Sequence, residues 1–143
     1  MVKDIIDGIS NALYENFEGV TIYSESIEQG FEEPCFFVMP LNPSEIPLVG
    51  VRAFRSVPLD VHYFPKSEKE AYAEMENVAS KLYGILRRIA LLDGSMLNGF
   101  NLNHKVQDGV LHFFVEFKPP IRYITEPDEM QESLDHDIEV END

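Results

Sequence analysis

The 143-residue chain has no tryptophan, a single cysteine, and only eleven basic residues against twenty-six acidic ones. Each scarcity excludes something. With Cys35 alone, no disulfide can form within the chain, and a reducing compartment suits it. The longest apolar run is Cys35 to Met39, far short of the ~18 residues that a membrane-spanning helix requires. The opening Met1-Val2-Lys3-Asp4-Ile5-Ile6-Asp7 carries acids where a secretory signal has a basic region and an unbroken apolar one. The sequence therefore predicts a soluble, unexported chain. Few Lys and Arg, and a formal net charge of −15, argue against a broad phosphate-binding surface. The same balance argues against docking on an anionic membrane leaflet, which attracts basic segments. The eight glycines are scattered singly, so neither a P-loop nor a dinucleotide fingerprint is present, and no Gly-x-Ser-x-Gly occurs.

What is present is an ordinary globular composition, 44% apolar and 11% aromatic, with ten phenylalanines. The length suits one domain. The acidity is uneven. Residues 125–143 hold nine acids and no Lys or Arg; removing those nine leaves seventeen acids against eleven bases, a net of −6 for residues 1–124. Met130, Leu134, Ile138 and Val140 are the tail's only aliphatic anchors, too few to offset its ordering entropy. The predicted organisation is a single domain over 1–124 and a flexible, disordered acidic tail over 125–143.

Within the domain, hydrophobic period marks the elements. Val2, Ile5, Ile6, Ile9, Leu13 and Phe17 make one helical stripe, ended by Glu18-Gly19. Val20–Glu25 is β-branched and alternating, and Cys35–Met39 is apolar on both sides, as an interior strand is. Residues 40–50 hold three prolines and a glycine and read as a loop. Val51–Phe64 is a long strand with Val57, Leu59, Val61 and Tyr63 on one face, interrupted at Pro58, whose missing donor requires an outward amide or a bulge. Ser67 and Glu70 form a capping-box pattern for a helix running to about Ile89, with Arg87 and Arg88 in its last turn. Phe100–Gln107 and Val110–Phe117 alternate about a two-residue Asp108-Gly109 turn, and Ile121–Ile124 is a last extended piece. The prediction is an α+β fold in the order α-β-β-β-α-β-β, with a mainly antiparallel or mixed sheet and both helices on one face.

Chemistry-bearing groups are sparse. Asp60 and His62 share a face of one strand, His112 and Glu116 a face of another. Were those strands neighbours, the four could present nitrogen and oxygen ligands to a metal. Outward polar residues on a half-buried sheet follow the same pattern, and the sequence predicts no metal, no cofactor and no catalytic residue. His104 runs in phase with Phe100, Leu102 and Val106, as a core histidine would. Cys35, among aromatics, has the setting of an inert buried thiol. Phe64, Phe114 and one of Phe36 and Phe37 fall on the polar side of their strands. Either another subunit or a covering segment of this chain must shelter them.

Four segments carry a resemblance. Ile27-Glu28-Gln29-Gly30-Phe31-Glu32-Glu33-Pro34-Cys35-Phe36-Phe37-Val38 resembles the most recognisable stretch of phage tail terminator-like proteins of Gram-positive prophages. Asp60-Val61-His62-Tyr63-Phe64-Pro65 and Asp108-Gly109-Val110-Leu111-His112-Phe113-Phe114-Val115 are similar to that family too, as is Ala79-Ser80-Lys81-Leu82-Tyr83. The likeness runs from the first helix to about Phe117 and leaves out the acidic tail. It implies an α+β subunit that is not an enzyme. Such subunits form a ring, usually of six, that caps the finished tail tube and joins it to the head. The implied partners are further copies of the chain, the tail tube protein and head–tail connector proteins. The implied location is the host cytoplasm during assembly and then the virion tail. The charge alone suggests a rival reading, an acidic nucleic-acid mimic that inhibits a DNA-binding protein, although acids and bases interleave at Lys66, Glu68, Lys69 and Glu70. A small metal-dependent hydrolase built on Asp60, His62, His112 and Glu116 is the third.

Overall fold

A computed structural model describes residues 1–24, 30–125 and 138–142. Helix α1, Val2–Asn16, buries Ile5, Ile9 and Leu13, and Phe17 turns extended at its end, with its amide still bonded to the Leu13 carbonyl. Strands β1 (Thr21–Tyr23) and β2 (Cys35–Pro40) pair in parallel. Then come β3 (Ser44–Pro47), β4 (Arg52–Phe64), helix α2 (Ala71–Leu86), and β5 (Arg88–Ala90). The chain continues through β6 (Met96–Gln107), β7 (Val110–Phe117), β8 (Pro120–Thr125) and β9 (Ile138–Asn142). The main sheet runs β1-β2-β4-β7-β6-β5, with β3, β8 and β9 attached through the first half of β4. Apart from the β1–β2 pair, its ladders are antiparallel. This is the α+β class that the hydrophobic period predicts.

One core explains why both helices share a face. Alternation places Phe36 and Val38 of β2 on the same side as Val57, Leu59, Val61 and Tyr63 of β4 and Leu111, Phe113, Val115 and Phe117 of β7. Ile5, Ile9 and Leu13 of α1 and Met75, Val78, Leu82 and Leu86 of α2 close over that surface. The hairpin β6–β7 turns at Asp108-Gly109, both with positive φ (54° and 75°), the geometry that twists with the strands. Pro58 costs no hydrogen bond on the β7 side. Its carbonyl accepts from the Leu41 amide, so its nitrogen also faces the gap where β2 ends and β3 begins.

Several expectations need correction. Residues 40–50 are not all loop, because Ser44–Pro47 pairs with Ser56–Ala53. All four residues of β3 are exposed, so no buried face marks the strand in its sequence. The second helix begins at Ala71 with Glu70 in the cap position, three residues past the Ser67 cap that the capping-box pattern predicts. The Ser67 hydroxyl does accept from the Glu70 amide, but Glu74 is the residue that reaches back, taking the amides of Lys66 and Ser67. That helix also stops at Leu86: Arg87 caps it, and Arg88 and Ile89 are already in β5. A register irregularity between Phe100 and Asn103, with Asn101 at φ 54°, puts Phe100 on the opposite face from Leu102, His104 and Val106. Of the segment read as an acidic tail, 126–137 and 143 lie outside the described residues, whereas Ile138–Asn142 pairs with Ile121–Thr125. The Ser26–Pro34 link is described only from Gly30 onward.

Candidate functional site

The face of the sheet turned away from the helices holds Asp60, His62, His112 and Glu116 and, of the four aromatic candidates, Phe37, Phe64 and Phe114; Phe36 and His104 lie on the helix side. Phe36 is fully buried, packing at 5.0 Å on Phe17 and 4.9 Å on Tyr63 in the core. Its neighbour Phe37 takes the open face and is covered there by this chain's own residues. Tyr23 stacks on it at 4.9 Å, and Phe31 bridges it (5.6 Å) to Phe64 (4.9 Å). Phe114 is half-buried between the His112 ring, 6.3 Å away, and the Lys105 ammonium, 5.8 Å from its centre. His104 lies on the helix side, half-exposed. Its Nδ1 is 2.8 Å from the Tyr83 hydroxyl and its Nε2 is 3.3 Å from the Glu76 carboxylate.

The centre of the open face is polar. His62 and His112 are directly opposite in the β4–β7 register, and Asp60 sits diagonally from His112. One carboxylate oxygen, Asp60 Oδ2, lies 2.8 Å from His62 Nε2 and 3.0 Å from His112 Nδ1. The two rings meet edge-on, with centres 4.5 Å apart. Asp60 is 6% exposed, and its second oxygen, Oδ1, is buried without a hydrogen-bond partner. These three residues, on two adjacent strands with ligand atoms within 4.8 Å of one another, can hold a metal ion. Glu116 does not join them. It accepts from the Ser56 hydroxyl and from Asn101 Nδ2 at 2.7 Å, and those bonds hold its carboxyl below the usual range.

Sequence pattern missed the arm at the far end. The first half of β4 has β3 on one side and β8 on the other. Across one of its faces Arg55 Nη2 donates to Glu45 Oε1 at 2.7 Å, and the Tyr123 hydroxyl donates to the same carboxylate at 2.8 Å. The Arg55 and Tyr123 bonds keep Glu45 below the usual carboxylate range. The other face is open and mixed: Ile46 (58% exposed) pairs with Phe54, Phe100 lies beside them under the Lys118 ammonium at 4.8 Å, and Ser44, Ser56 and Glu116 line the same hollow. Leu48, Val49 (94% exposed) and Val51 form the tip. The only signal in the sequence is the concentration of Ile, Leu and Val inside a proline-rich segment that has no face to bury them.

Nucleophilic catalysis finds no such assembly. Among the described residues no serine or cysteine hydrogen-bonds a histidine, and burial, with Glu33 adding to it, pushes the Cys35 thiol up to about 11. The fold is an α+β subunit with one face of its sheet packed under two helices and exposed apolar side chains on its β3–β4 arm. The family of phage tail terminator proteins matches residues 4–138, nearly the whole chain, and the chain belongs to that family. No curated protein matches it. Membership makes the protein a structural component of phage tails, with other tail and head proteins as its surroundings, and the family is not one of enzymes. No helix among the described residues is long and apolar enough to cross a membrane.

Proposed function

We propose that the chain is a tail terminator whose copies close into a sixfold ring, cap the finished tail tube and present the docking surface for the head. The observation that carries this reading is the arm. Ile46, Leu48, Val49, Val51 and Phe54 are exposed in the single subunit, although β3 and β8 hold the arm in one shape through main-chain pairing. A rigid apolar projection of this kind suits a neighbouring copy, because a head-to-tail contact between unlike surfaces generates a ring when the rotation closes. Phe37 and Phe64 are already sheltered by Phe31 and Tyr23, so the arm and the half-buried Phe114 are the better contact residues. The net charge of −15 opposes association of free subunits and keeps a DNA-conducting lumen from adhering to its cargo. Tail tube and connector proteins are the partners on the two ring surfaces, with assembly in the host cytoplasm before incorporation in the virion. Sedimentation of the full chain at rising concentration, with and without purified tail tubes, tests the reading. Discrete ring-sized species support it, and a monomer under every condition refutes it.

A further inference from the structure

We infer that Asp60, His62 and His112 form a site for a divalent transition-metal ion of the zinc type, on the sheet face opposite the helices. Two imidazole nitrogens and one carboxylate oxygen are the donor set that suits zinc and its neighbours. Magnesium and calcium prefer oxygen donors throughout. The three side chains stand on β4 and β7, the centre of the main sheet, so the backbone fixes their spacing before any ion arrives. In a tetrahedral zinc site with bonds near 2.0 Å, ligand atoms are about 3.3 Å apart. The two carboxylate–imidazole separations, 2.8 Å and 3.0 Å, need a few tenths of an ångström of opening, and the two imidazole nitrogens lie within 4.8 Å of each other, a spacing that ring rotation adjusts.

A second observation points to the same place. Asp60 is nine-tenths buried, yet Oδ1 has no donor, a costly state for a carboxylate that receives both of its bonds on Oδ2. A cation between the three side chains would compensate that charge directly. Binding is also chemically balanced. With both rings neutral, His62 Nε2–H and His112 Nδ1–H point at Asp60, and each proton moves to the ring's other nitrogen as the first becomes a ligand. His62 and His112 are each about a quarter exposed at the side chain, which leaves an entry path and room for water in the fourth position. Glu116, engaged by Ser56 and Asn101, stays outside the site. The ion would pin β4 to β7 from the side that the helices do not cover.

Calorimetric titration of the full chain with zinc chloride in excess magnesium tests this. A single saturable equivalent is expected, weakened at least about tenfold in Asp60→Asn and His112→Gln and retained in Glu116→Gln. His136, flanked by Asp135 and Asp137 outside the described residues, is a separate potential ligand, so His136→Gln must also retain binding. Loading the wild-type chain with Co²⁺ gives a readout that does not depend on a variant's folding, and intense tetrahedral visible bands are expected. Absence of saturable binding shows a hydrogen-bonded triad only, and overturns the inference. So does binding lost only in His136→Gln, or a cobalt complex without those bands. None of these outcomes bears on ring formation.

Discussion

At Gly99 the absence of one methyl group lets β6 reach the end of α2. A Cβ there would overlap the Leu86 carbonyl oxygen and lie 2.9 Å from Val115 Cγ2, while the Gly99 amide donates to the Arg87 carbonyl at 2.7 Å. Gly99→Ala should destabilise the fold by about 1–3 kcal/mol, because the obstructing atoms are main chain and packed core. Chemical denaturation measures it. Glu74 is a second position where one side chain organises a junction. Burial raises its pKa, but bonds from the Tyr63 hydroxyl and from the Lys66 and Ser67 amides outweigh that and hold it below the usual range. A carboxylate whose pKa is lower folded than unfolded contributes stability above the unfolded value, and the contribution disappears as pH falls through the folded one. Glu74→Gln should therefore cost about 1–2 kcal/mol at neutral pH and flatten the loss of stability below about pH 4.5. Thermal melts of both chains across pH 3 to 7 check the sign. The residue type needed at this junction was legible, since Ser67 and Glu70 announce a helix start. Which carboxylate would do the capping was not, because Glu74 acts through a chain reversal after β4. Asp60, His62 and His112 were legible as outward-facing residues. Their convergence depends on β4 lying beside β7, a non-local pairing that no spacing in one segment encodes.

Elements with a buried stripe were readable, and elements without one were not. Helix α1, β4 and the β6–β7 hairpin each bury one side, so the period of their apolar residues matches their geometry, while β2 is buried on both sides and reads as an unbroken apolar run. β3 is exposed along its length and β5 has three residues, so neither has a period to detect. The displacement of Phe100 has the same origin, since the irregularity before Asn103 shifts the phase in mid-strand. Ile46 and Val49 of the arm are the most exposed, at 58% and 94%, and add little to monomer packing. Ile46→Ser with Val49→Ser should change the monomer's stability by less than about 0.5 kcal/mol, the usual range for surface sites. The same double variant should lose assembly. Unchanged melting together with absent oligomers in sedimentation is the expected pair of results. Full assembly by the variant would remove the arm from the interface.

For the whole molecule, charge and shape act against each other. The −15 of the chain divides into −6 over residues 1–124 and nine uncompensated acids beyond, so repulsion between any two copies is expected chiefly from the C-terminal segments. Screening that repulsion should favour association. Raising salt from about 0.05 M to about 0.5 M, where the Debye length falls several-fold, should shift sedimentation toward larger species. A contact made of ion pairs would respond in the opposite direction. The most direct test of a ring-forming terminator is electron microscopy of the concentrated protein mixed with purified tail tubes. Sixfold rings in the background and a cap on one end of each tube are the predicted images. Bare tube ends beside a uniformly monomeric protein would contradict the account.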